Sequence, residues 1–195
     1  MTSLIFATNN PNKVDEIKNV VGNLYQIISL KEAGIDIDIP EPHATLEENA
    51  LEKSQTIFRL TKQNCFSEDT GLETETLNGE PGVRSARYAG EHCNADDNID
   101  KLLKVLKDKP NRKARFRTVV SLILGESEYF FEGICEGEII EDRKGSHGFG
   151  YDPVFVPNGA TKTFAEMTMA EKNKFSHRKK AVSKLLLFLS QNGIE

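Results

Sequence analysis

Two adjacent acids, Glu68 and Asp69, are the residues whose type and position most favour chemistry in this sequence. They follow a short apolar run, Cys65-Phe66, that predicts the end of a buried strand, and Gly71 then predicts a loop. In open α/β sheets, ligands bind in the crevice beyond the carboxyl ends of the strands. Because side chains alternate across a strand, the two acids should point different ways unless the backbone has already turned. One could then reach a metal or a water while the other orients it, although a solvated acidic turn would have the same sequence.

A lysine at the start of the first predicted helix is a second candidate. Residues 4–7 predict a buried strand, after which Asn10 is a favourable N-cap and Pro11 fits the first helical position. Lys13 then lies in the first turn, where the helix dipole disfavours a cation. A bound phosphate would use both the lysine and the free N–H groups, whereas the alternative is an ordinary surface lysine. The Walker A pattern G-x-x-x-x-G-K-[ST] is absent from the chain.

A lysine on the inner face of the second predicted helix is a third candidate. Residues 35–40 alternate apolar and acidic side chains and predict a strand, and Thr45 then opens a helix with Glu48 at capping-box spacing. The inward stripe of that helix is Leu46, Ala50, Lys53, Ile57 and Leu60. A lysine rarely occupies such a position unless it is paired or faces a cleft, and the alternative is that it snorkels to the helix edge.

The remaining elements predict a mixed sheet with helices around it. The first helix carries Val14, Ile17, Val20, Val21 and Leu24 on one face. A further helix is expected over 96–107, and strands over 116–124 and 129–140 form a hairpin, so the sheet cannot be purely parallel. The last helix is expected to start at Ser176 and to end at Gly193.

Two later stretches offer binding groups. Residues 145–153 place three glycines around two aromatic side chains, which would let backbone and ring faces approach a planar ligand. Their order is not G-x-G-x-x-G, and aromatics that only fill the core are the alternative. Near the last helix, Lys172 and Arg178 put cations where anions are favoured, although a basic run is commonly a solvated helix face.

Size and charge describe one ordinary soluble domain. The chain has 195 residues, of which 38% are hydrophobic and 28% charged, and its net charge of -5 argues against a nucleic-acid partner. Its start has no positively charged leader, so we expect no signal peptide, and the apolar run at 185–189 is far too short to cross a membrane. Three cysteines without metal-ligand spacing favour a reducing cytoplasm.

These candidates could meet around one nucleotide: cations and helix ends would bind a polyphosphate, aromatic rings the base, and carboxylates Mg²⁺. The blocks that carry a family likeness are 8–13 (TNNPNK), 67–72 (SEDTGL), 81–88 (PGVRSARY), 148–153 (GFGYDP), 171–173 (EKN) with 176–178 (SHR), and the less distinctive 48–53 (ENALEK). On these blocks, in this order, the chain resembles the inosine/xanthosine triphosphate pyrophosphatase family. That family hydrolyses deaminated purine nucleoside triphosphates such as ITP, dITP and XTP to the monophosphate and pyrophosphate.

The resemblance implies a role for each matching residue. Glu41 and Asp69 would bind Mg²⁺, Asp69 would also be the base that activates water for attack at the α-phosphorus, and Glu68 is a candidate further ligand. The residues implied to bind substrate are Thr8, Asn9, Asn10, Pro11, Asn12, Lys13, Lys53, Thr70, Phe149, Gly150, Tyr151, Asp152, Lys172, Ser176, His177 and Arg178. Residues 8–13 with Lys53 would hold the triphosphate, and Phe149 would stack on the base. The base end would be lined by Asp152, Lys172, Ser176, His177 and Arg178.

Selection is expected to depend on the purine 6-position. Inosine and xanthosine carry a carbonyl there and adenosine an amino group, so a donor such as Arg178 or Lys172 is satisfied only by the first two. A site that hydrogen-bonds a substrate group can reject an analogue without it by roughly 10⁴-fold or more. Guanosine shares the carbonyl, so its exclusion must come from its 2-amino group or another contact.

The resemblance also implies the fold: an α/β domain over 1–195 with an elongated mixed central sheet flanked by helices and two lobes around a substrate cleft. It further implies a homodimer, which the residue patterns alone do not support, and a cytoplasmic location, which agrees with the cysteine content. The acidic stretch 73–75 departs from the family pattern and puts burial of that strand in doubt. Two alternatives remain, a pyrophosphatase for other modified nucleotides and a non-catalytic nucleotide or nucleic-acid binder that uses the basic residues 172–184.

Overall fold

The computed structural model describes residues 2–194. Its strands are β1 Ser3–Phe6, β2 Gln26–Ser29, β3 Cys65–Thr74, β4 Pro81–Gly82, β5 Lys113–Leu124, β6 Ser127–Ile139 and β7 Phe155–Pro157. Its α-helices are α1 Pro11–Val21, α2 Leu46–Thr61, α3 Ala95–Val105, α4 Met169–Lys172 and α5 His177–Gln191. Short 3₁₀ helices cover Glu75–Leu77, Ser85–Arg87, Asp152–Val154 and Phe164–Glu166. Within residues 2–194, every helix is too short or too polar to span a bilayer.

The strands of the described chain form a seven-stranded mixed sheet. Its order is β2-β1-β3-β5-β6-β7, and β4 pairs with β3 off this path. β1 runs parallel to both β2 and β3, whereas β3 pairs antiparallel with β4, and β6 with β7. The predicted mixed α/β fold with flanking helices is therefore confirmed, and the cleft between two lobes stays a prediction.

The chain divides into two compact units. The first contains residues 2–69, 118–133 and 178–194, and the second contains 70–117 and 134–177. The boundaries fall inside β3, β5 and β6, so each of these strands belongs partly to both units. The single domain over 1–195 stays a prediction.

Alternation along β1 builds the core of the first unit. Leu4 and Phe6 are buried in a cluster with apolar residues of α1 and α5, and Phe6 stacks on Phe66 with ring centroids 4.6 Å apart. Ile5 points the other way, into a cluster with Ile57 of α2. Helices therefore cover both faces of the sheet in this unit, as the period of two along a buried strand requires.

An aromatic cluster builds the core of the second unit. The ring of Phe116 lies 4.7 Å from that of Phe155 and 6.1 Å from that of Phe164, and all three side chains are buried. Leu102 and Leu106, in and just after α3, join the same cluster. This apolar mass anchors the loop between β6 and β7 that carries the glycine-rich stretch.

Hydroxyl and thiol groups, in addition to the apolar Ile57, join α2 to the strands beneath it. The Ser67 hydroxyl donates to the backbone carbonyl of Ala50, the hydroxyls of Ser54 and Ser121 are 2.8 Å apart, and the Cys65 thiol donates to the carbonyl of Ser54 at 3.2 Å. Small side chains permit this close approach and hold α2 in register with β3. Burial raises the pKa of the Cys65 thiol to about 12.

The three cysteines differ in exposure. Cys65 and Cys135 are buried, Cys93 is exposed, and none of the three forms a disulfide. The two buried thiols fill the core as small apolar side chains.

Several helix predictions are confirmed. Asn10 caps α1 by accepting from the N–H groups of Asn12 and Lys13, and Pro11 occupies the first helical position. Thr45 caps α2 through the N–H of Glu48 at 3.2 Å. Helices over 95–105 and from residue 177 agree with the predicted ones to within about two residues, the usual uncertainty of helix ends.

The strand predicted over 35–40 is wrong, because these residues form no regular strand. Their alternation is nevertheless structural: Ile35, Ile37 and Ile39 pack against the Ile5 cluster while the residues between them are exposed. The carbonyl of Ile37 accepts from the Asn9 side chain at 2.8 Å. The alternation of apolar side chains over 35–40 therefore indicates which side of this segment packs against the core. It does not require that the segment pairs with another strand.

The predicted loop after Phe66 is also wrong. β3 continues to Thr74, so Glu68 and Asp69 lie within the strand and not beyond its end. The acidic residues 73–75 put burial of this part of the strand in doubt. In the structure Thr74 is buried, and Glu73 accepts a hydrogen bond from Arg115 at 2.7 Å. The ion pair explains how a glutamate fits this strand.

Two residues assigned to inward helix faces are exposed instead. Leu24 lies beyond the end of α1 and is 64% exposed, and Leu60, in the last turn of α2, is 59% exposed. In both cases the apolar residues at helical spacing continue in the sequence beyond the part of the helix that packs against the core.

Candidate active site

The turn between β1 and α1 is built by short polar side chains. The Thr8 hydroxyl accepts from the N–H of Asn10 at 3.2 Å, and the Asn10 side chain accepts from the N–H groups of Asn12 at 3.0 Å and Lys13 at 3.4 Å. These bonds satisfy backbone donors that the sequence suggested for a phosphate. The Lys13 side chain is therefore the group of this turn best suited to meet an anion.

Glu68, on one side of β3, lies in a buried network of four charges. Arg178 grips it with two parallel bonds, Nε to Oε2 at 2.7 Å and the second guanidinium nitrogen to Oε1 at 2.9 Å. A further guanidinium nitrogen of Arg178 donates to Glu16, and Lys13 Nζ lies 3.2 Å from Glu68 Oε1. Two carboxylates and two cations thus compensate one another where water is excluded.

The network fixes the charge state of its members. Burial opposes ionisation of Glu68, but the charges of Arg178 and Lys13 outweigh it and lower the pKa of this carboxyl to about 2. Burial likewise opposes the charge on Arg178, but Glu68 and Glu16 raise the pKa of its guanidinium. Glu68 is therefore ionised at neutral pH, and both of its oxygens are engaged.

Asp69, on the other side of β3, belongs to a different cluster. Lys53 Nζ donates to Asp69 Oδ1 at 3.1 Å and to Glu41 Oε1 at 2.6 Å. Lys53 is 7% exposed and Asp69 5%, so the predicted inward position of the lysine is confirmed. Asp69 Oδ2 is buried and has no hydrogen-bond partner among the described residues. One carboxylate oxygen is therefore held and the other keeps its acceptor capacity.

The electrostatics of this cluster favour a proton acceptor. Burial and the nearby Glu41 carboxylate raise the pKa of Asp69, against the opposing charges of Lys53 and Lys13. Burial would lower the pKa of Lys53, but the charges of Asp69 and Glu41 outweigh it and raise that pKa. The lysine is thus a cation, and Asp69 has more proton affinity than a solvated aspartate.

The residues around Asp69 fit a magnesium ion. Mg²⁺ takes hard oxygen ligands, and it is commonly held by one or two carboxylates together with substrate phosphates. Glu41 and Asp69 supply two such carboxylates, and the buried Oδ2 of Asp69 has capacity for a ligand. Among residues 2–194, no group of three or more acidic, histidine or cysteine side chains could hold a metal by itself. Waters and substrate phosphates would therefore complete the coordination.

The second unit holds the predicted aromatic end of the site. Asp152 Oδ2 accepts from Lys172 Nζ at 2.6 Å and from the N–H of Phe149 at 3.0 Å. Lys172 Nζ also lies 5.3 Å from the centre of the Phe149 ring and 5.1 Å from that of Phe164, within cation–π range. Gly148 has φ +76°, and a Cβ there would collide with the Asp152 carboxylate. Glycine is therefore required at position 148, because a side chain there would displace the Asp152 carboxylate. That carboxylate binds both Lys172 and the backbone N–H of the half-buried Phe149.

Three other predicted substrate residues of this unit, Tyr151, Ser176 and His177, are buried, whereas Thr70 and Gly150 are half-buried. The Tyr151 hydroxyl donates to the carbonyl of Ser85 at 2.9 Å, and burial raises the pKa of this phenol. The ring of His177 stacks on Phe116 with centroids 4.7 Å apart, and Ser176 is buried beside it in sequence. Gly150 has φ +58°, and a Cβ there would meet no neighbouring atom within 4 Å.

The predicted residues thus form two groups. The first unit contains Thr8, Asn9, Asn10, Pro11, Asn12, Lys13, Glu41, Lys53, Asp69 and Arg178, and the second contains Thr70, Phe149, Gly150, Tyr151, Asp152, Lys172, Ser176 and His177. Their roles toward substrate stay predictions.

Glu16 was missed by the sequence interpretation. It is 5% exposed and binds the Arg178 guanidinium. A signal was available, because Glu16 lies three residues after Lys13 and beside the buried Ile17 on the inner face of α1.

Comparison with known proteins places this chain in a family. The chain belongs to the Ham1 family, whose model matches residues 4–188. This membership, with the relatives described next, confirms the likeness inferred from the sequence blocks.

Two relatives are similar over nearly their whole length. A dITP/XTP pyrophosphatase from Porphyromonas gingivalis is 51% identical over 190 residues, which cover 97% of this chain and 98% of that protein. A dITP/XTP pyrophosphatase from Flavobacterium johnsoniae is 48% identical over 187 residues, which cover 96% and 97% respectively.

Two solved structures share the fold. The Ham1 protein of Staphylococcus aureus matches with a TM-score of 0.87 and 36% identity, covering 98% of this chain and 100% of that one. A HAM1 protein from Coxiella burnetii matches with a TM-score of 0.88 and 34% identity over the same shares.

Proposed function

We propose that this protein is a nucleoside triphosphate pyrophosphatase that hydrolyses ITP, dITP and XTP to the monophosphate and pyrophosphate, and so removes deaminated purines from the nucleotide pool. The observation that carries the proposal is the near full-length match to relatives named dITP/XTP pyrophosphatase. The buried acids and lysines along β3 supply the chemical groups that such a hydrolysis needs.

Glu41 and Asp69 are the residues that would hold Mg²⁺. Bound there, the metal would lower the pKa of a water and neutralise charge on the phosphates. Support comes from the carboxylate pair and from the acceptor capacity of Asp69 Oδ2. Glu68 is a weaker candidate, because Arg178 and Lys13 already engage both of its oxygens.

Asp69 would accept the proton of the attacking water. The water oxygen bonds to the α-phosphorus as the bond from that phosphorus to the bridging oxygen breaks, and pyrophosphate leaves with that oxygen. Asp69 Oδ2 is buried and has no hydrogen-bond partner among the described residues, so it has the capacity to accept that proton. Lys13 and Lys53 would bind the phosphates, and the turn at 8–12 would shape their site.

Phe149 would stack on the base, and Lys172 is the donor we propose for the purine 6-carbonyl. Lys172 adjoins the Phe149 ring at 5.3 Å and is oriented by Asp152. Arg178 was the other candidate donor, but its guanidinium is gripped by Glu68 and Glu16. We therefore assign Arg178 first to the charge network, and its contact with the base stays a prediction, as do those of Ser176 and His177.

A pyrophosphate-release assay tests the proposal. The substrates are ITP, dITP, XTP, GTP and ATP, each with Mg²⁺ and with a chelator. We expect release from the deaminated purines, at least about 10²-fold slower release from ATP, and none with the chelator. Equal turnover of ATP would contradict the selection proposed for Lys172, and turnover confined to pyrimidine or methylated nucleotides would favour the other pyrophosphatases.

We further propose a cytoplasmic homodimer with no nucleic-acid or membrane partner. Free thiols fit a reducing compartment, and a net charge of -5 disfavours nucleic acid. Light scattering on the purified chain tests the dimer, and a mass of one chain at micromolar concentration would contradict it.

A further inference from the structure

The two carboxylates proposed to bind the metal are already bound to a cation of the protein itself. Lys53 Nζ lies 2.6 Å from Glu41 Oε1 and 3.1 Å from Asp69 Oδ1. These are hydrogen-bond distances to charged acceptors, so each contact is a strong one.

The position of this ammonium is fixed by the fold. Lys53 lies on the inner face of α2 between Ala50 and Ser54, whose bonds to Ser67 and Ser121 hold the helix against the strands. The lysine side chain is 8% exposed, unlike a flexible lysine at the surface. Its contact with the acids is therefore built into the packing of α2.

An ammonium and a divalent cation compete for the same carboxylate oxygens. Two carboxylates brought together without a cation repel each other, so a positive charge has to hold them. A second positive charge at the same oxygens is disfavoured, because repulsion between like charges is strong where water is excluded.

We propose that Lys53 is a built-in competitor of the metal: it holds the Glu41–Asp69 pair together and lowers the affinity of that pair for a divalent cation. This proposal rests on the proposed function through the assignment of the two metal ligands. When the metal binds, the ammonium is released from the acids and becomes available to the triphosphate. Metal and nucleotide binding would then favour each other, as any such linkage requires.

The test measures Mn²⁺ binding to the protein without nucleotide, by the electron paramagnetic resonance signal of free Mn²⁺. We expect Lys53→Met to bind Mn²⁺ about tenfold more tightly than the wild type, or tighter still. Lys53→Arg keeps the charge and should retain the weaker affinity. Lys13→Met is the matched control, because Lys13 contacts Glu68 and acts on Asp69 only through its charge; its removal should raise the affinity by a smaller factor than removal of Lys53.

Unchanged or weaker Mn²⁺ binding in Lys53→Met would overturn the proposal, as would an equal gain in Lys13→Met. Lys53→Gln provides the same comparison in case the methionine variant does not fold, which circular dichroism reveals. Asp69→Asn separates the two proposals. Mn²⁺ affinity retained in that variant would contradict the metal site, whereas failure of the wild type to release pyrophosphate would contradict only the function.

Discussion

Glu68 and Asp69 are neighbours in β3, yet their carboxylates lie on opposite sides of the strand and have different hydrogen-bond partners and opposite pKa shifts. On one side, Arg178 and Lys13 engage both oxygens of Glu68, and its pKa is lowered to about 2. On the other, Asp69 shares one ammonium with Glu41, keeps Oδ2 without a hydrogen-bond partner in residues 2–194, and has a raised pKa.

The difference teaches that pairing, rather than burial, separates a fully engaged carboxylate from the one proposed to be reactive. Both carboxylates are buried and both have cations beside them. A fully satisfied polar network is rigid, whereas an incompletely satisfied group keeps affinity for a ligand or a proton.

The largest expected effect is on the reactive side. Asp69→Asn should lower kcat about 10²- to 10⁴-fold, because an amide neither accepts the proton nor binds Mg²⁺ well. Stability should fall less than in the Glu68→Gln variant, because Lys53 keeps Glu41 as a counter-charge at 2.6 Å. Pyrophosphate release from ITP and thermal unfolding measure the two quantities. Asp108→Asn, at an exposed position, is the control and should keep full activity; comparable turnover in both variants would remove Asp69 from its role.

The next effect is on the structural side. Glu68→Gln should lower the free energy of unfolding by about 3–5 kcal/mol, because Arg178 and Lys13 lose a buried counter-charge. Urea unfolding measures it. The control is Glu73→Gln, since Glu73 pairs with the partly exposed Arg115 and should cost less than about 1 kcal/mol. An equal loss of unfolding free energy in the two variants would show that the buried network contributes no more to stability than an exposed ion pair.

A third variant extends the comparison to the second unit, where the predicted role is base binding and not chemistry. Phe149→Leu should raise KM for ITP about tenfold with a smaller change in kcat, because stacking on a base contributes about 1–3 kcal/mol. Steady-state kinetics separate the two. Phe130→Leu, at a 46% exposed position, is the matched control. A loss confined to kcat would argue against stacking.

The smallest effect sharpens the role of burial. Lys18 and Glu32 are 2.7 Å apart, as close as Glu68 and Arg178, but their side chains are 38% and 51% exposed. Lys18→Met should therefore cost less than about 1 kcal/mol, and less still at high salt. Urea unfolding at two salt concentrations measures it, and a loss equal to that of Glu68→Gln would mean that distance alone sets the strength of these pairs.

Features set by local chemistry could be predicted from the sequence. The start of α1 follows from Asn10 and Pro11, and the inward position of Lys53 follows from helical periodicity. Opposite directions for Glu68 and Asp69 follow from strand alternation. Each depends on neighbours within one or two turns of the chain.

Features set by distant partners could not. Glu16 and Arg178 are 162 positions apart, so no local pattern announces their bond. Gly71 suggested a loop, but a Cβ there would lie 2.7 Å from the carbonyl oxygen of Gly82, so this glycine serves close pairing between strands. In each case the decisive atom belongs to another part of the chain.

The unequal exposure of the three cysteines gives the protein a natural attachment point for chemical probes. Cys65 stays protonated at neutral pH because its pKa is about 12, and Cys135 is shielded by its neighbours, whereas Cys93 is open to reagents. A maleimide dye should therefore label the native chain at Cys93 alone, without any engineered residue. A fluorophore placed there would report on the loop before α3 while both interior sulfurs remain untouched.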